Sequence, residues 1–486
     1  GTGCILAHLM GLGKTLQSIT IIQAFLASGI GRLAMIICPV NVLTNWKAEF
    51  EKWLDEDERP SIVSMAEVMR SNKARLRALE KWRRQGGVLI IGYEMIRNLD
   101  RFQSLLLEMA DLVVVDEGHR IKNSKTGLSK VLSQIGTQRR VILTGTPLQN
   151  NLMEYFFMID FVRPNFLGTP KDFRNRFESP ILNGQCVDSN ADDVRLMRER
   201  AFVLHNKVQA FVHRRGYRDI AHELPEKSVY TLFVSLSPLQ KQLYAHYLGN
   251  ITRRMHRLIS SNFRSLFQDY HSLNKIWNHP QIIRLAYKEC ILPKNEDEDE
   301  DEEDLDLNIT TGPKFQVAIE LMERIIAQGE KVIIFSQSLL TLDLLETAME
   351  KHLDYYKNEN FFRIDGSIKC DVRQKDIDEF NKPDSEQKVF LLSTKAGSLG
   401  INLVGANHAI IFDSSWNPSH DLQAIFRIYR FGQKKNVYVY RLVSHDTMEQ
   451  KIYERQLTKR GLALRVVDEK QVQRVFQTTD LQDLYR

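Results

Sequence analysis

The chain has 486 residues, 43% apolar and 26% charged, with 66 Lys and Arg against 61 Asp and Glu for a formal charge of +5. That length is more than one ordinary core supports, and the apolar content and mixed charge exclude a disordered chain, so two or three domains are expected. The charge is uneven: Glu296 to Asp304 is an unbroken run of nine carboxylates, Asp306 adds a tenth, and setting these ten aside raises the balance from +5 to +15. A basic body with one solvated acidic strip favours a polyanion-binding surface over a neutral metabolic enzyme, with scattered surface charge as the plain alternative. The five cysteines (Cys4, Cys38, Cys186, Cys290, Cys370) form no Cys-x-x-Cys pair or Cys/His cluster, so no zinc site and no disulfide framework are expected, as suits a reducing compartment. Apolar stretches such as Leu33 to Cys38 fall far short of the roughly eighteen residues a membrane helix needs. The chain opens at Gly1 without an initiator Met or signal segment and reads as a piece of a longer protein.

In chain order, short β-branched runs that end in Gly, Pro, Ser or an acid alternate with longer helical stretches. Strands are expected at Leu33 to Val40, Val88 to Tyr93, Leu112 to Asp116 and Arg140 to Thr144, then at Lys331 to Ser336, Phe361 to Asp365, Lys388 to Thr394, His408 to Phe412 and Val437 to Leu442. Continuous apolar runs between helices describe parallel strands covered on both faces, so the fold class is α/β, in two lobes. A helical, less regular stretch is expected from about Leu152 to Lys294. The acidic run, a solvated linker by charge repulsion, and the breaker Thr310-Thr311-Gly312-Pro313 mark the join to the second lobe.

Four segments carry chemistry. His8-Leu9-Met10-Gly11-Leu12-Gly13-Lys14-Thr15 precedes the helical Leu16 to Ala27. Glycines that let backbone N–H groups approach, a helix N-terminus, a Lys for terminal phosphates and a Thr for magnesium make a phosphate loop, although the strict pattern wants Gly where His8 stands; the alternative is a Gly-rich turn. Leu112-Val113-Val114-Val115 runs into Asp116-Glu117-Gly118-His119, placing two carboxylates where ligands of parallel sheets bind. One can hold Mg²⁺ through its waters while the other orients the attacking water. Leu143-Thr144-Gly145-Thr146-Pro147-Leu148-Gln149 follows a strand with small hydroxyl residues and can relay the state of the site, or be a polar turn. Gln423, Arg427 and Arg430 stand at i, i+4 and i+7, sharing one face if the segment is helical, and suit arginine fingers or else surface salt bridges.

Together these segments make the sequence resemble the ATPase core of the Swi/Snf family of chromatin remodellers, within superfamily two of the helicase-like ATPases, over nearly the whole chain. Supporting segments are Ile37-Cys38-Pro39, Asn45-Trp46, Gly92-Tyr93-Glu94, Trp277-Asn278-His279-Pro280, Ile334-Phe335-Ser336-Gln337, Ser393 to Leu403 and Phe412 to Pro418. Most members have Asp-Glu where this chain has His8-Leu9, and Ala7-His8 with Asn183-Gly184-Gln185-Cys186 is similar to the ATRX-like branch. Arg214-Arg215-Gly216 resembles the androgen-receptor-interacting sister more closely.

The resemblance implies two RecA-like parallel-sheet lobes with helical family-specific insertions between them. These are residues 1–151 (ATP-binding lobe), 152–311 (protrusions and acidic linker), 312–460 (second lobe) and 461–486 (an extension packing on the lobes). It implies ATP and Mg²⁺ as cofactors, with His8 to Thr15, Gly400 and Gln423 binding nucleotide, and Thr15 and Asp116 holding the metal. Lys14, Asp116, Glu117, Arg427 and Arg430 would be catalytic, and His119, Thr144, Gly145, Thr146 and Gln149 would couple. Asn45, Gly92, Tyr93, Ser336, Gln337, Thr394, Lys395 and Trp416 would line the DNA path, mostly by phosphate contacts. The implied partners are double-stranded DNA, nucleosomes and histones in the nucleus, with histone-mark reading and any histone chaperone contact lying outside this chain. The family's adenine-recognising segment should precede the phosphate loop, so the nucleotide pocket is expected to be incomplete here.

Overall fold

A computed structural model describes residues 2–68, 71–97, 108–121, 127–145, 151–184, 190–216, 222–257, 264–291, 311–368, 370–394 and 401–467. The acidic run and residues 468–486 lie outside the described residues. The chain divides into two compact units whose main stretches are Gly1–His222 and Glu223–Leu457.

The first unit is built on a seven-stranded sheet in the order β3-β4-β2-β5-β6-β1-β7, all pairs parallel. The strands are β1 (Cys4–Leu6), β2 (Leu33–Cys38), β3 (Ile62–Ser64), β4 (Gly87–Gly92), β5 (Leu112–Asp116), β6 (Arg140–Leu143) and β7 (Val212–His213). Helices that matter for the site are α1 (Lys14–Ala27), α2 (Leu43–Trp53) and the short α4 (Tyr93–Arg97), with α3 (Asn72–Gln85) between the last two. Alternate strand residues enter two separate apolar clusters. Met35, Ile37, Val113, Val115 and Ile142 belong to one, and Ala34, Ile36, Val114 and Val141 to the other. Both faces are therefore covered, which is why these strands read as unbroken apolar runs.

The second unit carries a six-stranded, all-parallel sheet in the order β10-β11-β9-β12-β13-β8. Its strands are β8 (Lys227–Val234), β9 (Val332–Ser336), β10 (Phe361–Ile364), β11 (Val389–Ser393), β12 (His408–Ile411) and β13 (Val437–Ser444). Its helices include α5 (Arg264–Asn278), α6 (Pro313–Ala327), α7 (Pro418–Ile425) and, as far as Leu457, α8 (Met448–Val467).

The helical, less regular stretch expected from about Leu152 to Lys294 also holds two strands, β7 and β8, one in each sheet. β8 is an edge strand that leaves Val229, Tyr230 and Phe233 exposed and mixes them with Lys227, Ser228 and Thr231. It lacks the continuous apolar run that marks a central strand. Among the described residues no helix is long and apolar enough to cross a membrane.

Candidate nucleotide site

β1 lies between β6 and β7, so the chain leaves its C-terminal end straight into the phosphate loop and α1. Gly11 and Gly13 have φ of 83° and 69°, the left-handed region where a side chain is strained. A Cβ on Gly13 would meet nothing within 4 Å. α1 has Gly13 as its cap, no side-chain cap bond and no acid in its first turn. Its first-turn N–H dipoles therefore face the loop without a local acceptor side chain. The Lys14 ammonium donates to the main-chain oxygens of His8 at 2.9 Å and Leu9 at 3.2 Å, folded over the loop it serves. Thr15 is half-buried in the first helical turn. A glycine cradle, a first-turn Thr and a cation at its rim fit a nucleotide's phosphates and their Mg²⁺.

The acidic partner sits at the end of β5, two strands away from β1 in the same sheet. Asp116 Oδ1 accepts the Glu117 N–H at 2.9 Å, and Oδ2 accepts the Trp46 indole N–H at 3.0 Å. The Tyr93 hydroxyl donates to the Asp116 main-chain oxygen. Burial, then the neighbouring Glu117 charge, push the Asp116 carboxyl up to about 6, against the pull of the Trp46 bond and the Lys14 charge. Glu117 itself has φ of 51°, an uncommon left-handed conformation for a non-glycine residue and a form of strain that clusters at functional sites. Gly118 is demanded by close approach, since a Cβ there would stand 2.2 Å from Ile142 Cγ2 on β6. His119 Nδ1 lies 3.2 Å from Glu117 Oε2.

The segment after β6 meets the phosphate loop. The Thr144 N–H donates to Leu6 O at 3.1 Å, and a Cβ on Gly145 would come within 2.8 Å of Met10 Cγ. Thr146 and Gln149 lie outside the described residues.

The His8 side chain meets His213, with Nε2 at 2.7 Å from Nδ1, while its main-chain oxygen accepts from the Lys14 ammonium. Burial first, then the charges of His213, Lys14, Arg214 and Arg215, push its pKa down to about 4, so the ring is neutral. The segment after β7 runs beside the loop: Ala7 N–H donates to His213 O, Leu9 N–H to Arg215 O, and one Arg214 guanidinium nitrogen reaches both Ala7 O and Gly145 O. No local signal marked His213, and Arg214 stood out only as part of Arg214-Arg215-Gly216; both stand some two hundred residues downstream of the loop. Trp46 was quoted only as part of a motif.

In the second unit the shared helical face is corrected. α7 ends at Ile425, where bonds to the residue four back give way to bonds three back, as from Arg427 N to Ala424 O. Arg427 and Arg430 thus follow the helix rather than continue it. Gln423 and Arg427 are buried, and Arg430 is half-buried with Nη1 3.5 Å from Ile401 O. Gly400 lies outside the described residues.

The candidate DNA-path residues divide. Asn45 is exposed on α2 and Trp416 is half-buried against the Tyr270 ring at 6.2 Å. Gly92 and Thr394 are buried, and Lys395 lies outside the described residues. The Tyr93 hydroxyl is bound to Asp116, and the fully buried Ser336 hydroxyl donates to Asp413 Oδ2 at 2.7 Å. The Gln337 amide donates to Ser414 O at 2.8 Å and to Tyr270 Oη at 3.1 Å.

Residues 1–282 match the SNF2-related domain, and residues 313–432 match the helicase conserved C-terminal domain. Over 100% of its length the chain is 40% identical to Protein CHROMATIN REMODELING 20 of Arabidopsis thaliana, covering 37% of that protein. It is 37% identical to Transcriptional regulator ATRX of Homo sapiens, again over 100% of the chain and 25% of the relative. Helicase ARIP4 of Xenopus tropicalis is 36% identical over 96% of the chain and 42% of its own length. The chain spans less than half of each of these relatives.

Proposed function

Because this chain belongs to the SNF2-related family, in its ATRX-like branch, and is a DNA-dependent ATPase core, we propose that it couples ATP hydrolysis to movement along double-stranded DNA in chromatin. The observation that carries this reading is the assembly in the first unit of a glycine phosphate cradle, Lys14 at its rim and the Asp116–Glu117 pair held in fixed orientation. When bound with ATP, Mg²⁺ would neutralise charge developing on the phosphates. Lys14 gives up its bonds to His8 and Leu9 oxygens to reach the terminal phosphates, and the α1 N–H groups supply a preorganised positive field. Thr15 and Asp116 would hold the metal, Asp116 partly through water. Glu117 orients and deprotonates the attacking water at its carboxylate. In the second unit, Arg427 and Arg430 are the candidate arginine fingers.

Asn45, the turn at Gly92, the Ser336–Gln337 loop, Thr394, Lys395 and Trp416 follow one strand's backbone. Affinity should therefore fall steeply with salt and depend little on sequence. Nucleosomes in the nucleus are the proposed setting.

The test is ATP hydrolysis by the chain extended upstream through the adenine-recognising segment, with and without duplex DNA, beside Lys14→Ala and Glu117→Gln. Duplex stimulation that both substitutions abolish is expected. Stimulation by single strands alone, together with unwinding of a forked substrate, would point instead to a strand-separating helicase, and no hydrolysis under any condition to a chromatin scaffold.

A further inference from the structure

Two of the segments proposed for the DNA path each send one buried aromatic group to the same residue. Asn45 is exposed on α2, and the next residue, Trp46, is 1% exposed with its indole N–H on Asp116 Oδ2 at 3.0 Å. Gly92 closes β4, and the next residue, Tyr93, is 3% exposed with its hydroxyl on the Asp116 main-chain oxygen. Buried indole and phenol groups need a partner for their polar tips. Here both partners belong to the residue that would orient the metal, whose remaining oxygen is fixed by the Glu117 N–H. α2 has an internal control in Phe50, four residues beyond Trp46 on the same buried face, which is fully buried and has no polar tip.

We propose that Trp46 and Tyr93 are positioning residues that carry duplex engagement to Asp116. A displacement of α2 or of the β4–α4 turn by bound phosphates moves a donor, and the donor sets the attitude of the carboxylate and its strand end. The inference rests on the DNA-path reading above and extends it to a route between the two ligands.

Trp46→Phe and Tyr93→Phe remove the donors but keep an aromatic ring in each place, and Phe50→Leu loosens α2 without touching Asp116. For each, three quantities are measured: Tm, the duplex concentration giving half-maximal ATPase stimulation, and the affinity of a fluorescent non-hydrolysable ATP analogue with Mg²⁺, with and without duplex. In the unsubstituted chain, duplex should tighten analogue binding. In Trp46→Phe and Tyr93→Phe that tightening should disappear, and DNA-stimulated turnover should fall about 10- to 100-fold, the usual loss when the partner of a metal-ligating group is removed. Half-saturating duplex, read with nucleotide present, should rise by the factor by which the tightening is lost, since coupling between two ligands is reciprocal. Phe50→Leu should lower Tm and keep the tightening. The inference is overturned if the two donor variants retain the tightening, or if Phe50→Leu loses it as fully as they do. A chain that duplex does not stimulate at all would overturn the DNA reading itself, and this route with it.

Discussion

Asp116 and Asp413 stand at comparable places in the two sheets, one ending β5 and the other two residues beyond β12. Asp116 is half-buried, accepts Trp46 and Glu117 N–H groups, and is followed by a left-handed Glu117. Asp413 is fully buried and accepts three groups: Ser336 Oγ at 2.7 Å, Gln337 N at 2.9 Å and Asn278 Nδ2 at 3.3 Å. Behind it Lys314 and Glu449, both essentially inaccessible, pair at 2.5 Å, and Glu449 also takes the N–H groups of Ser414 and Ser444. Burial raises both aspartates and hydrogen bonds draw both back, Asp116 chiefly through Trp46 and Asp413 through Ser336 and Gln337. The strand end of a parallel sheet is thus only an opportunity. It becomes a site where the carboxylate keeps solvent access and a scaffold where both oxygens are taken up by buried partners.

The largest expected effect asks whether the second unit is scaffold alone. Arg430→Ala should leave nucleotide binding nearly intact and lower turnover about 10³-fold or more, as for an arginine finger. Steady-state kinetics and analogue binding measured together check this, since equal losses in both would make Arg430 a ground-state ligand.

Next, Lys314→Met should destabilise the second unit by about 3–5 kcal/mol in denaturant unfolding, because it leaves Glu449 charged and buried. Adding Glu449→Leu should recover part of the loss. A negligible effect of Lys314→Met would remove the contrast drawn between a closed network and an open site.

A smaller effect follows from the raised pKa of Asp116. Its folded value, about 6, lies above 3.8, so its favourable contribution is complete below 3.8 and lost as pH rises through 6. Asp116→Asn should therefore raise Tm at neutral pH without Mg²⁺ and leave it nearly unchanged near pH 4, while hydrolysis is lost. A thermal-shift series against pH, with and without Mg²⁺, decides it.

The smallest concerns His8. Its folded pKa, about 4, lies below 6.5, so its contribution to stability is present above 6.5 and lost as pH falls toward 4. His8→Asn should flatten the acid limb of the Tm–pH curve without moving its neutral plateau.

The local sequence determined the elements whose cause is local. Val113 to Val115 bury both faces of a central strand, Gly11 and Gly13 permit the loop's backbone, and Asp116-Glu117 end a strand whatever lies elsewhere. Most of the parallel strands, and the loop and strand end of the candidate nucleotide site, were legible for that reason. Tertiary structure decided what depends on distant partners. Trp46 meets Asp116 across 70 residues and His8 meets His213 across 205. β8 is a strand because β13 lies beside it along its whole length, with no apolar run of its own to announce it. The same holds at Arg427, where the i, i+4, i+7 spacing promised a helix that the chain ends at Ile425. Periodicity reports which side chains would share a face if the backbone continued, and whether it continues is settled by packing that no window of local sequence contains.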